Sequence, residues 1–130
     1  MEHIYVKTQE AIQIVCDALE SNEMSNHDAE IIARHLVLAE TDGQLGHGLS
    51  RVKSYIEQIQ SGKVNIRSSI NAEFQGKGWL VLDADHGFAF PALDQAYLQT
   101  TPLIREHGAL LVTLSIIHIS EPTRQSKISY

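Results

Sequence analysis

The sequence predicts an α/β chain, with a helical N-terminal subdomain over residues 1–62 followed by the start of a mixed α/β domain over 63–114. Three observations predict it. Apolar residues recur at helical spacing through the first sixty positions. The period then shortens into brief runs punctuated by Gly76-Lys77-Gly78 and Gly87. A long helical stretch from Pro91 finally leads into an apolar run, Ala109 to Leu114. With 130 residues, 43% of them hydrophobic and 20% charged, the chain has room for one modest core.

The first helix is expected from Thr8, as N-cap, to about Glu20, with Ile12, Val15, Cys16 and Leu19 on its buried face. Ser21 to Met24 reads as a turn. Ser25 or Asn26 then caps a second helix, with Asp28 and Glu30 near its positive end. Ile31, Ile32, His35, Leu36 and Ala39 form its apolar stripe, His35 being a core histidine with a satisfied ring. The two helices make an αα-hairpin. Thr41 to Gly48 contains three glycines, which resist helix and permit tight turns or close approach to a ligand. Leu49, Val52, Tyr55, Ile56 and Ile59 give a third helix that starts near Gly48 and stops near Ser61-Gly62. His47 therefore belongs at the mouth of that helix.

Ser69 to Phe74 and Trp79 to Asp83 read as a hairpin, and Asp85-His86-Gly87 as a turn. Pro91 suits a first helical turn, and Ala92, Ala96, Leu98 and Leu103 are the candidate buried positions. Pro102 should kink or break the far end. Residues 109–114 read as a buried strand. Residues 115–130 look like translated adapter DNA, a non-native tail, so the natural reading frame is expected to be interrupted near Leu114.

Several function classes fall away. The net charge is -6 and the ten Lys and Arg are scattered, which gives no footprint for nucleic acid or an anionic membrane. No apolar stretch approaches a membrane span, and the start lacks the pattern of a signal peptide, so a cytoplasmic protein is expected. The single cysteine, Cys16, cannot form an internal disulfide and fits a reducing compartment. Seven histidines occur without an H-x-x-x-H pair or a Cys/His cluster, so no metal is expected. His3, His27 and His107 read as surface or cap residues.

The chemistry concentrates at His47. Its glycine neighbours leave the ring accessible, and an imidazole of ordinary pKa ~6.5 suits proton transfer near neutrality. Arg51 lies four residues on, where a guanidinium could grip a carboxylate through two parallel hydrogen bonds. Ser50 and Asp42 are nearby polar candidates. An acid/base residue beside a carboxylate clamp is the minimum needed to reduce an α-keto or α-imino acid. The same residues could equally be a helix start with a solvated charge.

Residues 39–55 resemble the signature of the type 2 malate/L-lactate dehydrogenase family, A-D-x-x-G-x-x-S-H-G-x-x-R with a following tyrosine and a helix-ending glycine. Gly43, His47, Gly48, Arg51, Tyr55 and Gly62 fall in register. Gly46 replaces the usual serine, and Glu40-Thr41 disturbs the usual Ala-Asp. Val81 to Leu93 and Arg105 to Gly108 resemble two further blocks in the right order, so the likeness covers roughly residues 8 to 114. It implies a non-Rossmann NAD(P)-binding fold, here truncated, and no G-x-G-x-x-G contradicts that.

The resemblance further implies a homodimer that uses NAD or NADP. His47 would be the catalytic acid/base and Arg51 the carboxylate contact, with most cofactor contacts beyond Leu114; Ser50, from its position alone, is a further candidate at the substrate. His86, before a turn glycine, is a candidate to face the cofactor. His118 falls one residue early for the family's cofactor loop and is not assigned. The implied substrate is a small 2-oxo or cyclic 2-imino carboxylate. The run Gly87 to Ala92 looks closer to members that reduce piperideine-2-carboxylate than to those acting on malate, lactate, sulfolactate, ureidoglycolate or diketogulonate. The alternatives are a non-catalytic helical interaction module and an inactive fragment.

Overall fold

A computed structural model describes residues 3–116. The elements in chain order are α1 (Thr8–Glu20), α2 (Asn26–Thr41), α3 (Arg51–Gln60), β1 (Asn71–Gln75), β2 (Trp79–Asp83), α4 (Ala89–His107) and β3 (Leu111–Ser115). The chain is thus α/β, four helices with a small sheet. No helix among the described residues is long and apolar enough to cross a membrane.

α1 and α2 form the expected hairpin. Val15, Cys16 and Leu19 of α1 are buried against Ala29, Ile32, Ala33, Leu36 and Val37 of α2. Leu19, Ile32 and Leu36 are wholly enclosed, and each such side chain contributes roughly 1.5–3 kcal/mol through the water it leaves. The turn between the helices is a Schellman closure. The Glu23 N–H donates to the Glu20 carbonyl at 2.9 Å and the Met24 N–H to the Leu19 carbonyl at 3.4 Å. Glu23 occupies the left-handed position (φ 68°) where glycine is usual. Ser25 caps α2, its hydroxyl accepting the Asp28 N–H at 3.2 Å.

α3 buries no residue completely, but Val52, Tyr55, Ile56 and Ile59 rest on the helical core from one side. β1 and β2 pair antiparallel from Asn71↔Asp83 to Gln75↔Trp79. β2 and β3 pair parallel from Trp79↔Leu111 to Asp83↔Ser115, and α4 supplies the crossover that a parallel pair requires. Leu80 and Leu82 of the central strand and Ala96 of α4 form a second core, flanked by Ile70, Ala72 and Leu114. Phe88 and Phe90, at the start of α4, pack on the first.

Several expectations are corrected. Lys7, not Thr8, is the N-cap of α1, and no side chain caps it. His35 is exposed rather than core. It lies on the flank of α2 and stacks on Phe90, centroids 4.6 Å apart and rings 6° from parallel. α4 runs through Pro102. Its buried Ala96 and Thr100 hold it on the sheet, and the Thr100 and Thr101 hydroxyls bond the carbonyls of Ala96 and Tyr97 at 2.8 and 2.6 Å. The burying face of α4 is Pro91, Ala92, Ala96 and Thr100, so Leu98 points away and is 68% exposed. β3 lies at the margin of the described sheet, which leaves Leu111 and Val112 exposed where a buried strand was expected.

Two predictions follow from this packing. Glu23→Gly should raise the thermal midpoint by a few degrees, because a non-glycine residue in the left-handed region costs about 1–2 kcal/mol; an unchanged or lowered midpoint in a melting curve would contradict this. Cys16 is buried and its thiol is pushed up to about 11, by burial first and then by its contact with the Glu20 carboxylate. The folded thiol keeps its proton to higher pH than an unfolded one, whose ordinary value is 9.0. Its contribution to stability is therefore complete below pH 9 and is lost as pH rises toward 11. Ellman's reagent at pH 8 should leave Cys16 unmodified until denaturant is added.

Candidate active site

The His47 loop begins where α2 is forced to stop. Gly43 (φ 78°) takes the left-handed position. The Gly43 N–H donates to the Glu40 carbonyl at 3.0 Å and the Gln44 N–H to the Ala39 carbonyl at 2.8 Å. The chain then climbs through tight turns, with the N–H groups of His47, Arg51 and Val52 donating to the carbonyls of Gln44, Gly48 and Leu49 at 2.8, 3.0 and 3.1 Å. These turns delay α3 to Arg51, three residues later than expected, because the i→i−3 pattern replaces the α-helical one. His47 accordingly precedes the helix instead of sitting at its mouth.

Side chains strap this loop to itself. The Ser50 hydroxyl donates to the Leu45 carbonyl and Arg51 Nε to the Gly46 carbonyl, both at 2.6 Å. Glu40, near the end of α2, accepts the Leu49 N–H on its Oε2 at 2.8 Å. Gly48 is buried directly on Glu40, and a Cβ there would lie 2.9 Å from the Glu40 Cα and Cβ and strike its carboxylate. His47 itself is exposed, and its ring has no hydrogen-bond partner among the described residues.

The structure thus brings His47, Ser50 and Arg51 into one loop and changes what two of them do there. Ser50 gives its proton to the loop backbone. Arg51 is tethered through Nε, which leaves its two terminal amino groups for a ligand. One turn along α3, Tyr55 stacks on Phe88 at 4.7 Å. Burial pushes the Tyr55 phenol up from its ordinary 10.0, against the lowering influence of the Arg51 guanidinium, so the phenol is neutral at physiological pH. Asp42 is the C-cap of α2.

His86 lies apart. It sits exposed in a left-handed turn (φ 60°), beside a cleft of about 530 Å³ lined by Tyr55, Lys63, Phe88 and Ile116 but not by His47. The turn is held by Asn65, whose amide donates to the Asp85 carbonyl and carboxylate at 3.2 and 3.1 Å. Sequence reasoning missed Asn65 and Glu40; for Glu40 the signal was its place in the signature motif, and for Asn65 there was none. His118 lies outside the described residues.

The strand-to-helix turn from β2 to α4 is where a dinucleotide phosphate would be sought. It does not fit one. The close approach that Gly87 allows is filled by the Ser68 side chain, and the His86 N–H donates to the Ile116 carbonyl at 2.8 Å. Among the described residues no group of three or more His, Cys, Asp or Glu could hold a metal ion.

Residues 6–119 match the family model for malate/L-lactate dehydrogenase. The chain belongs to the malate/L-lactate dehydrogenase family. The match ends inside the 115–130 segment. A (2R)-3-sulfolactate dehydrogenase (NADP(+)) of Chromohalobacter salexigens is 37% identical over 113 residues, which are 87% of this chain and 34% of that protein. A Δ1-pyrroline-2-carboxylate/Δ1-piperideine-2-carboxylate reductase of Pseudomonas syringae pv. tomato is 29% identical over 69% of this chain and 26% of its own length. The crystal structure of Δ1-piperideine-2-carboxylate reductase from Pseudomonas syringae superposes with a TM-score of 0.81 at 25% identity, covering 86% of this chain and 34% of that one. Malate dehydrogenase from Pyrococcus horikoshii gives 0.79 at 25% identity, covering 85% and 32%. The chain therefore spans about a third of the length of these family members.

The two glycines beside His47 should respond oppositely to substitution. A Cβ at Gly46 meets nothing within 4 Å, so Gly46→Ser, which restores the family's serine, should change unfolding free energy by less than about 0.5 kcal/mol. Gly48→Ala should cost roughly 1–3 kcal/mol by driving the loop off Glu40. Denaturant unfolding of both variants checks the pair; equal costs would refute the close contact.

Proposed function

We propose that the protein of which this sequence forms the N-terminal part transfers a hydride between a nicotinamide cofactor, NAD or NADP, and C2 of a small 2-oxo or cyclic 2-imino carboxylate. The observation that carries this is the exposed imidazole of His47, without a hydrogen-bond partner among the described residues, four residues before the tethered guanidinium of Arg51 in a chain of this family. His47 holds the proton given to the nascent alkoxide or amine, and takes it back in the reverse direction. The terminal amino groups of Arg51 hold the substrate carboxylate, and its Nε bond to Gly46 fixes the plane of the fork before substrate arrives. Ser50 shapes the loop through its bond to Leu45 and keeps its oxygen as an acceptor toward the substrate.

The β2–α4 turn does not fit a dinucleotide phosphate, and this reading assigns most of the cofactor contacts to chain beyond Leu114 and to a non-Rossmann fold. In this reading residues 1–62 carry the histidine loop, 63–114 open the α/β domain, and the non-native tail expected over 115–130 is confined to the part beyond the family match, which ends at residue 119. The exposed Leu111 and Val112 on β3 support a sheet that continues into further chain, and they favour a truncated enzyme over an independent interaction module. A cytoplasmic homodimer belongs to the same reading, and the buried thiol of Cys16 suits a reducing compartment.

The test is to recover the genomic reading frame past codon 114 and express it beside its His47→Ala and Arg51→Lys variants. NAD(P)H oxidation is then followed with sulfopyruvate, oxaloacetate, pyruvate and Δ1-piperideine-2-carboxylate. His47→Ala should lower kcat by about 10²–10⁴-fold, and Arg51→Lys should chiefly raise KM, because an ammonium cannot reproduce the fork. Wild-type turnover that survives in His47→Ala would refute the assigned role, and an inert full-length protein would return the interaction module to the front.

A further inference from the structure

Among the described residues, Glu40 is the carboxylate that reaches into the His47 loop. It stands on the last turn of α2, anchored by the hairpin core, and its Oε2 accepts the Leu49 N–H at 2.8 Å. Gly48 lies so close on its Cα and Cβ that no side chain fits between them. The residue after His47 and the residue after that are therefore both registered against Glu40. The other straps, Ser50 to Leu45 and Arg51 to Gly46, tie the loop only to itself. Among the described residues, the side-chain hydrogen bond from Leu49 to Glu40 is the one that connects this loop to the helical core.

We propose that Glu40 is the positioning residue for His47: its hydrogen bond to Leu49 and its contact with Gly48 transmit the rigidity of α2 to the backbone that carries the imidazole. This rests on the assignment of His47 as the acid/base group. The role is geometric, since Glu40 needs an acceptor at the right reach more than a charge. A glutamine supplies the same acceptor at the same distance, and alanine supplies none. Without the clamp the loop stays tied into a unit but moves against α2, and small displacements of a reacting group are costly in rate.

Amide hydrogen exchange is measured on the 130-residue chain as wild type, Glu40→Gln and Glu40→Ala, and kcat and KM on the same three variants of the extended reading frame. Exchange at Leu49 should quicken about tenfold in Glu40→Ala, the factor expected for losing one hydrogen bond to a charged acceptor, and stay within about threefold of wild type in Glu40→Gln. The kcat of Glu40→Ala should fall on the order of 10- to 100-fold with KM changed much less, and Glu40→Gln should recover most of it. A purely structural role would instead lower the thermal midpoint and the active fraction, leaving kcat per folded molecule unchanged. That result, unaltered Leu49 exchange in Glu40→Ala, or equal loss of kcat in both variants, overturns the proposal. If no variant, wild type included, turns over any substrate, the reductase reading has failed, and Leu49 exchange still decides whether Glu40 holds the loop.

Discussion

The apolar seam of α2 is the constraint on which the remaining structure depends. Ile32 and Leu36 are wholly enclosed, and the same cluster takes in α1 from one side and α3, Phe88 and Phe90 from others. Every element that touches the His47 loop is thereby referred to one rigid helix. Burial does this where propensity could not, since most helical stability in proteins comes from packing an apolar face.

The end of α2 then converts packing into chemistry. Gly43 stops the helix, Glu40 reaches forward from its last turn, and Gly48 accepts the contact because it has no side chain. An exposed histidine is open to approach and loses the orientation that burial would provide. Here the backbone beneath the histidine is held by three side-chain bonds at 2.6–2.8 Å. Among the described residues no hydrogen bond occupies the imidazole.

The small sheet serves a different purpose. Leu80 and Leu82 bury the middle of β2, and α4 crosses over to bring β3 alongside. Its outer strand remains apolar and exposed at Leu111 and Val112. The β2–α4 turn, with Asp85 and His86 both left-handed and braced by Asn65, is a structural corner whose backbone is already engaged. The turns at His47 and His86 are therefore built differently, although both contain a histidine next to a glycine.

Most of the architecture was legible in the residue order, because periodicity reports which face of an element is buried. The αα-hairpin, the Ser25 cap, the glycine stops at Gly43 and Gly62, the β-hairpin and the crossover helix all follow from local pattern. The accessible loop around His47 followed from its glycines. What pattern could not reveal was any decision taken by a neighbour distant in sequence. His35 fits an apolar stripe by spacing, yet it lies at the flank where Phe90 meets it. Leu98 has the composition of a core residue but faces away from the sheet, because the small Ala92 and Ala96 allow closer packing. Glu40 stands within the signature stretch of the sequence, but its hydrogen bond to Leu49 forms only when the chain doubles back over it. Local order determined the elements and the accessible, glycine-flanked histidine; the tertiary structure decided how the loop beneath it is held, because contacts between elements leave no periodic trace in the chain.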